Sequence, residues 1–198
     1  DWLAMKIHDW IFFYIFRFLI LFSNLQLISC DNQRRVEVNF DCNKTNLYFQ
    51  CRIHHLNLLE SDKNAEIILN SHPSQAPNDI RIEDSKLFSL PRILFEKFAE
   101  IKLFTASSCQ LQEIYHDTFS HAVKLHFLVL SSNNITIVPG YAFRNNSELQ
   151  TLKLDHNSIQ QLTADAFRGL TSLMTLKLSF NKITHLPLYI FDELEYLE

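Results

Sequence analysis

Leu149-Gln150-Thr151-Leu152-Lys153-Leu154-Asp155-His156-Asn157-Ser158-Ile159, continued through Leu162, Phe167 and Leu170, decides how this chain folds. The same frame returns 24 residues later as Leu173, Leu176, Leu178, Asn181, Ile183, Leu186, Phe191 and Leu194. One step earlier it is Leu125, Leu128, Leu130, Asn133, Ile135, Val138 and Phe143. A further step gives Ile101, Phe104, Ala106, Cys109, Leu111, Ile114 and Phe119. The first register is Pro77, Ile80, Ile82, Ser85, Leu87, Leu90, Phe95 and Phe98. Self-similarity at a fixed period, without insertion, predicts a solenoid whose coils bury their apolar faces only by stacking on one another.

The spacing sets the parts of each coil. L-x-x-L-x-L is a short parallel strand whose second and third apolar residues face the core, and the Asn after it turns the chain and bonds the neighbouring coil. Ser85 and Cys109 hold that place in two repeats, where a small hydroxyl or a weak thiol donor serves less well than an amide. Phe95, Phe119, Phe143, Phe167 and Phe191 form a column expected to stack along the convex side. The frame is that of leucine-rich repeats. The expected fold is a right-handed α/β solenoid, a horseshoe with a parallel β-sheet on its concave face and a disulfide-stapled amino-terminal cap.

Outward from the repeats, the expected organisation is a signal peptide over residues 5–29, a cap region over 30–76, five repeats over 77–196 and the start of a truncated repeat at 197–198. Met5 is taken as the initiator. The apolar run from Ile11 to Phe22 is interrupted only by Arg17 and is shorter than the ~20 residues a spanning helix needs. Cleavage near Ser29 is expected, with an uncleaved signal anchor as the alternative. Leu27-Ile28-Ser29-Cys30 also resembles a lipoprotein box, which the sequons and the repeat style argue against. The chain ends at position one of a sixth repeat, so the expectation is a fragment or a cap supplied from elsewhere.

In the cap, Val36 to Phe40 alternates as a strand should, Ile53 to Leu59 is a second apolar stretch, and Ile67 to Asn70 is a further strand candidate. Ser71 to Asn78, with two prolines, is expected as a surface loop. Cys42 and Cys51 would close a hairpin as a disulfide. The competing reading is zinc, since His54 and His55 follow, but zinc motifs usually space their cysteines by two to four residues. Cys30 has no obvious mate, and Cys109 at a ladder position is expected as a buried thiol.

Composition excludes several functions. A net charge of -4 with no basic run argues against nucleic acid as a partner. Two isolated glycines exclude a glycine-rich phosphate loop. The nine histidines are scattered, with His156 and His185 at solvent-facing positions, and no catalytic motif or metal-ligand spacing emerges. No cofactor and no enzyme activity are expected. The strand positions that face outward are where binding is expected. Leu103, Phe127 and Val129 would form an apolar patch, with Thr151, Lys153 and Lys177 on one side and Arg81 on the other. The plain alternative is that Phe127 lies flat on its neighbours and contacts nothing else. Four cysteines and sequons at Asn43, Asn134 and Asn145 point to an oxidising secretory route. Of these, Asn145 is expected to be most accessible and Asn134 least.

Cys42-x8-Cys51 with Tyr48 between, then Ile67-Ile68-Leu69-Asn70, then Ser89-Leu90-Pro91 with Leu94-Phe95, resembles the leucine-rich-repeat immune proteins of mosquitoes over roughly Cys42 to Leu197. That resemblance implies a secreted innate-immune protein that binds partner proteins, among them a complement-like thioester protein or another leucine-rich-repeat chain. In that family further repeats, a cysteine-rich region and a pairing coiled coil follow. The same repeats also occur in membrane-bound receptor or adhesion ectodomains of the Toll or synaptic type, which would require a carboxy-terminal anchor. A third possibility, an enzyme regulator or matrix scaffold, needs only the concave face.

Overall fold

The computed structural model describes residues 35–44, 49–60, 66–69 and 76–198. The segment expected as a signal peptide, Cys30, Tyr48, Asn70 and most of the stretch expected as a surface loop, Ser71–Asn78, lie outside those residues. The elements in chain order are β1 (Arg35–Val38), β2 (Phe40–Lys44), β3 (Phe49–His54), β4 (Asn57–Leu58), β5 (Glu66–Leu69), β6 (Asp79–Glu83) and β7 (Lys86–Leu87). They continue as α1 (Arg92–Lys97), β8 (Leu103–Thr105), β9 (Phe127–Val129), β10 (Ile137–Val138), β11 (Thr151–Lys153), β12 (Gln161–Leu162) and β13 (Thr175–Lys177).

Seven strands form the main sheet in the order β13-β11-β9-β8-β6-β3-β2. All pairs are parallel except β2 with β3. The 24-residue offset is the register itself: Leu103 pairs with Phe127, Phe127 with Thr151, and Thr151 with Thr175. Alternation along each strand then sends Ile80, Phe104, Leu128 and Leu152 into the core, each fully buried. Among the described residues, α-helix is confined to the six residues of α1. The other coils return through turns.

That column holds as spacing predicts. Phe95, Phe119, Phe143 and Phe167 are at most 1% exposed. Ring centroids lie 5.1 Å apart for Phe95 and Phe119, 5.6 Å for Phe119 and Phe143, and 6.0 Å for Phe167 and Phe191. In the last described coil, Phe191 is 37% exposed and Leu186, at a core position, is 55% exposed.

The ladder residues reach backward. Asn133 Oδ1 accepts the backbone N–H of Cys109 (2.9 Å) and Leu111 (3.0 Å), while its Nδ2 donates to the carbonyls of Ala106 (2.7 Å) and Leu130 (2.9 Å). Asn157 takes the Ile135 N–H (3.1 Å) and Asn181 that of Ile159 (3.0 Å). Where the ladder residue is Cys109, a thiol cannot take the corresponding N–H. The backbone carbonyl of Cys109 accepts Leu87 N–H at 2.8 Å instead, and its single S–H is shared between the carbonyls of Ser107 (3.2 Å) and Ile82 (3.4 Å). Ser85 Oγ accepts the Leu56 N–H (3.0 Å) and donates to the Glu83 carbonyl (2.7 Å).

The cap is an antiparallel hairpin in which Cys42 sits opposite Cys51 and is disulfide-bonded to it. Closing a loop this short stabilises by about 2–3 kcal/mol on chain-entropy grounds. Sulfurs bonded to each other cannot ligate zinc, so the metal reading of this pair is set aside. β3 continues the main sheet by pairing in parallel with β6, so the hairpin covers the first regular strand. β1 pairs in parallel with β5 beside the main sheet, placing Val36 and Val38 in the core.

Candidate functional site

The outward face of the main sheet is ordered by strand register. The middle row runs Arg52, Arg81, Thr105, Val129, Lys153 and Lys177 across β3, β6, β8, β9, β11 and β13. The row before it runs Gln50, Asp79, Leu103, Phe127, Thr151 and Thr175. All seven residues expected to bind a partner therefore lie on one face, Arg81 on one flank of the Leu103, Phe127 and Val129 patch and Thr151, Lys153 and Lys177 on the other. Phe127 keeps 37% of its surface exposed while its strand neighbour Leu128 is fully buried.

Charge is distributed unevenly along this face. At the cap end the cations are neutralised: Arg81 Nη2 lies 3.2 Å from the buried Asp79 carboxylate, and Arg52 Nε lies 3.7 Å from Glu83. Gln50 also donates to Asp79, at 3.0 Å. At the other end Lys153 and Lys177 stand opposite each other on paired strands, and neither has an ion-pair partner among the described residues.

A rim borders the sheet where each strand turns toward its ladder residue. Asp84, Ser108, Ser132, His156 and Phe180 all sit there at left-handed φ, between 48° and 58°. Asp and His are enriched in that conformation, whereas a bulky ring such as Phe adopts it rarely. The imidazole of His156 stacks on Phe180 with centroids 4.3 Å apart, and Phe180 is 74% exposed. Below the stack, Asp155 accepts from Ser131 Oγ (2.8 Å) and lies 2.9 Å from His156 Nδ1. Burial alone would raise the Asp155 carboxyl. Its hydrogen bonds to His156 and Ser131 nevertheless hold it below its ordinary value of 3.8. Sequence reading placed His156 in solvent but missed the stack. The available signal was a pair of rings at 156 and 180 where the first three repeats carry Asp or Ser.

Other expectations fall elsewhere. Asn43 is exposed on β2. Asn134 and Thr136 are both exposed, contrary to the poor access expected, because Ile135 between them turns inward and sends its neighbours out. Asn145 is exposed but its Nδ2 donates to the Ser120 carbonyl at 3.0 Å. Cys109 is a free, fully buried thiol whose burial pushes its pKa up to about 11. Among the described residues no cluster of His, Cys, Asp or Glu is placed to hold a metal ion, and no helix is long and apolar enough to cross a membrane.

Comparison with known proteins agrees with this architecture. The family model described as Leucine rich repeat matches residues 107–159 and 147–198. No curated protein sequence matches the chain. Among solved structures, that of the TLR13–ssRNA13 complex aligns with a TM-score of 0.60 at 24% identity, over 73% of this chain and 24% of that one. The LRIM1/APL1C complex aligns at 0.54 and 21%, over 78% of this chain and 33% of that one. The APL1 leucine-rich repeat domain aligns at 0.54 and 20%, over 83% and 47%. The chain thus spans less than half the length of each of these.

Proposed function

We propose that this leucine-rich repeat protein is a secreted binding module of innate immunity that captures a partner protein on the outward face of its sheet. The observation that carries this reading is an aromatic residue left exposed at the centre of that face. Phe127 stands in register beside Leu103 and one row from Val129, with cations at both flanks. Interfaces draw most of their energy from such central aromatic anchors with a polar rim. Support for the immune assignment comes from the shared fold of the LRIM1/APL1C complex and the APL1 domain, the first being an assembly of two named proteins. The secretory part of the proposal is a cleaved signal at 5–29, a cap over 30–76, repeats over 77–196 and glycans on Asn43, Asn134 and Asn145. A complement-like thioester protein or another leucine-rich-repeat chain is the proposed class of partner. The likeness to TLR13 favours a second reading, the ectodomain of a membrane-bound receptor.

Phe127→Asp tests the first reading. The full chain is secreted from cells with and without the change and used for affinity capture from the source body fluid. Normal secretion with loss of the captured partner supports the proposal. Unchanged capture refutes it, and lost secretion would show that Phe127 belongs to the core.

A further inference from the structure

We propose that the segment captured on this face is an acidic, extended polypeptide, its carboxylates held by Lys153 and Lys177 and an apolar side chain laid on the His156–Phe180 stack. This rests on the sheet face being the binding site, and it assigns the partner's chemistry.

Two independent observations converge on β11 and β13. Like charges directly opposite on paired strands repel, and natural sheets usually avoid or neutralise them. Lys153 and Lys177 are paired in register, yet no carboxylate among the described residues neutralises them, while Arg81 and Arg52 in the same row each have one. An uncompensated pair of cations in a chain of net charge -4 marks a place where an anion is brought from outside. Thr151 and Thr175, one row away, add hydroxyl donors to the same anion.

The second observation is the rim. The turn imposes left-handed backbone at every repeat, and among the five repeats only the last two put rings there, as His55 does at the equivalent place in the cap; only in those two repeats do the rings stack on one another. An exposed Phe at positive φ covers little of the core and carries conformational strain, the combination found where strain is kept for binding. The His156–Phe180 stack presents an apolar plane at the edge of the strands that carry the lysines.

Polypeptide is favoured over nucleic acid. A polyphosphate backbone needs many cations along its track, but here two lysines are flanked by Asp155, with Glu83 and Asp84 farther along the same rim. Two carboxylates spaced two residues apart on an extended chain, about 6.6 Å, suit a pair of lysines on adjacent strands.

The test uses fluorescence anisotropy with the full chain. One fluorescein-labelled probe alternates glutamate with phenylalanine and leucine, its twin carries glutamine for each glutamate, and a single-stranded RNA oligonucleotide is the third. The expected result is roughly tenfold tighter binding of the acidic probe than of its twin, weakened by added salt. Lys153→Gln with Lys177→Gln should erase that difference. Phe180→Asn should weaken the acidic probe while leaving the melting temperature unchanged or raised, because Asn is better suited to left-handed backbone; a merely structural Phe180 would lower it. Equal binding of acidic and glutamine probes, no binding of the acidic probe, or tighter binding of RNA would each overturn the proposal. If Phe127→Asp abolishes partner capture while the double lysine variant captures normally, the face binds but this assignment of its ligand is wrong. If Phe127→Asp leaves partner capture intact, the reading of the face itself fails.

Discussion

Replacing Asn133 by Ala should be among the most damaging single changes in the repeats. The side chain is 5% exposed and serves four buried partners, the N–H groups of Cys109 and Leu111 and the carbonyls of Ala106 and Leu130. Its longer, shared contact to the Ser131 carbonyl is expendable because Ser108 N–H also reaches that oxygen, at 3.2 Å. Alanine leaves two buried N–H groups without an acceptor, each costing about 1–2 kcal/mol, and weakens two carbonyls by less. The sum is about 3–5 kcal/mol, a large part of the 5–15 kcal/mol by which domains are stable. For a chain of this size that corresponds to a fall in Tm of about 6–20 °C. Thermal melts give the total, and amide hydrogen exchange at Cys109 and Leu111 localises it. Asn181, which serves Ile159 and Leu154 of the preceding coil, is only half-buried, so Asn181→Ala should cost only about 1 kcal/mol. Asn133→Ala within 1 kcal/mol of the parent, or equal in cost to Asn181→Ala, would refute the ladder argument.

Phe119→Ala, which removes a ring packed between Phe95 and Phe143, should cost about 3–5 kcal/mol in denaturant unfolding, and Phe191→Ala distinctly less because its ring is partly exposed. Gly169→Ala places a Cβ 2.5 Å from the Arg144 carbonyl at φ +91, so its melting temperature should fall well below that of Gly140→Ala, whose nearest neighbour is Thr163 Oγ1 at 3.2 Å. Asp155 has a lower carboxyl pKa folded than unfolded, so its contribution to stability is complete above 3.8 and is lost as pH falls through the lower folded value. Asp155→Asn should flatten that part of an acid-unfolding curve, and an unchanged curve would contradict the assignment. Cys109, pushed up to about 11 by burial, should resist maleimide labelling at neutral pH until denaturant is added, as read by peptide mapping.

The repeat frame was legible because each of its rules is local and periodic. Core positions, the Phe column and the seven outward residues all follow once the offset of 24 is known, and the register of β8, β9, β11 and β13 keeps to it. The Cys42–Cys51 bond was legible from a spacing that suits a hairpin better than a metal. What stayed hidden depends on backbone groups that carry no sequence signature. The substitution of the Cys109 carbonyl for a ladder amide is one case, and the pairing of β1 with β5 is another, since both rest on main-chain hydrogen bonds. The His156–Phe180 stack was missed because the preceding positions, Asp84, Ser108 and Ser132, suggest a plain turn, and only geometry shows adjacent coils bringing the two rings together.

The backward reach of the ladder asparagines also sets a schedule for biosynthesis. The amide of Leu111 is closed by Asn133, that of Ile135 by Asn157 and that of Ile159 by Asn181, each 22 residues further on. A coil leaving the ribosome therefore stays unsealed until its successor has emerged, about one to five seconds later at ordinary elongation rates of ~5–20 residues per second. The nascent chain would lock one coil behind the point of synthesis, so a ribosomal pause just after a strand would lengthen the time its coil is open to proteases and chaperones.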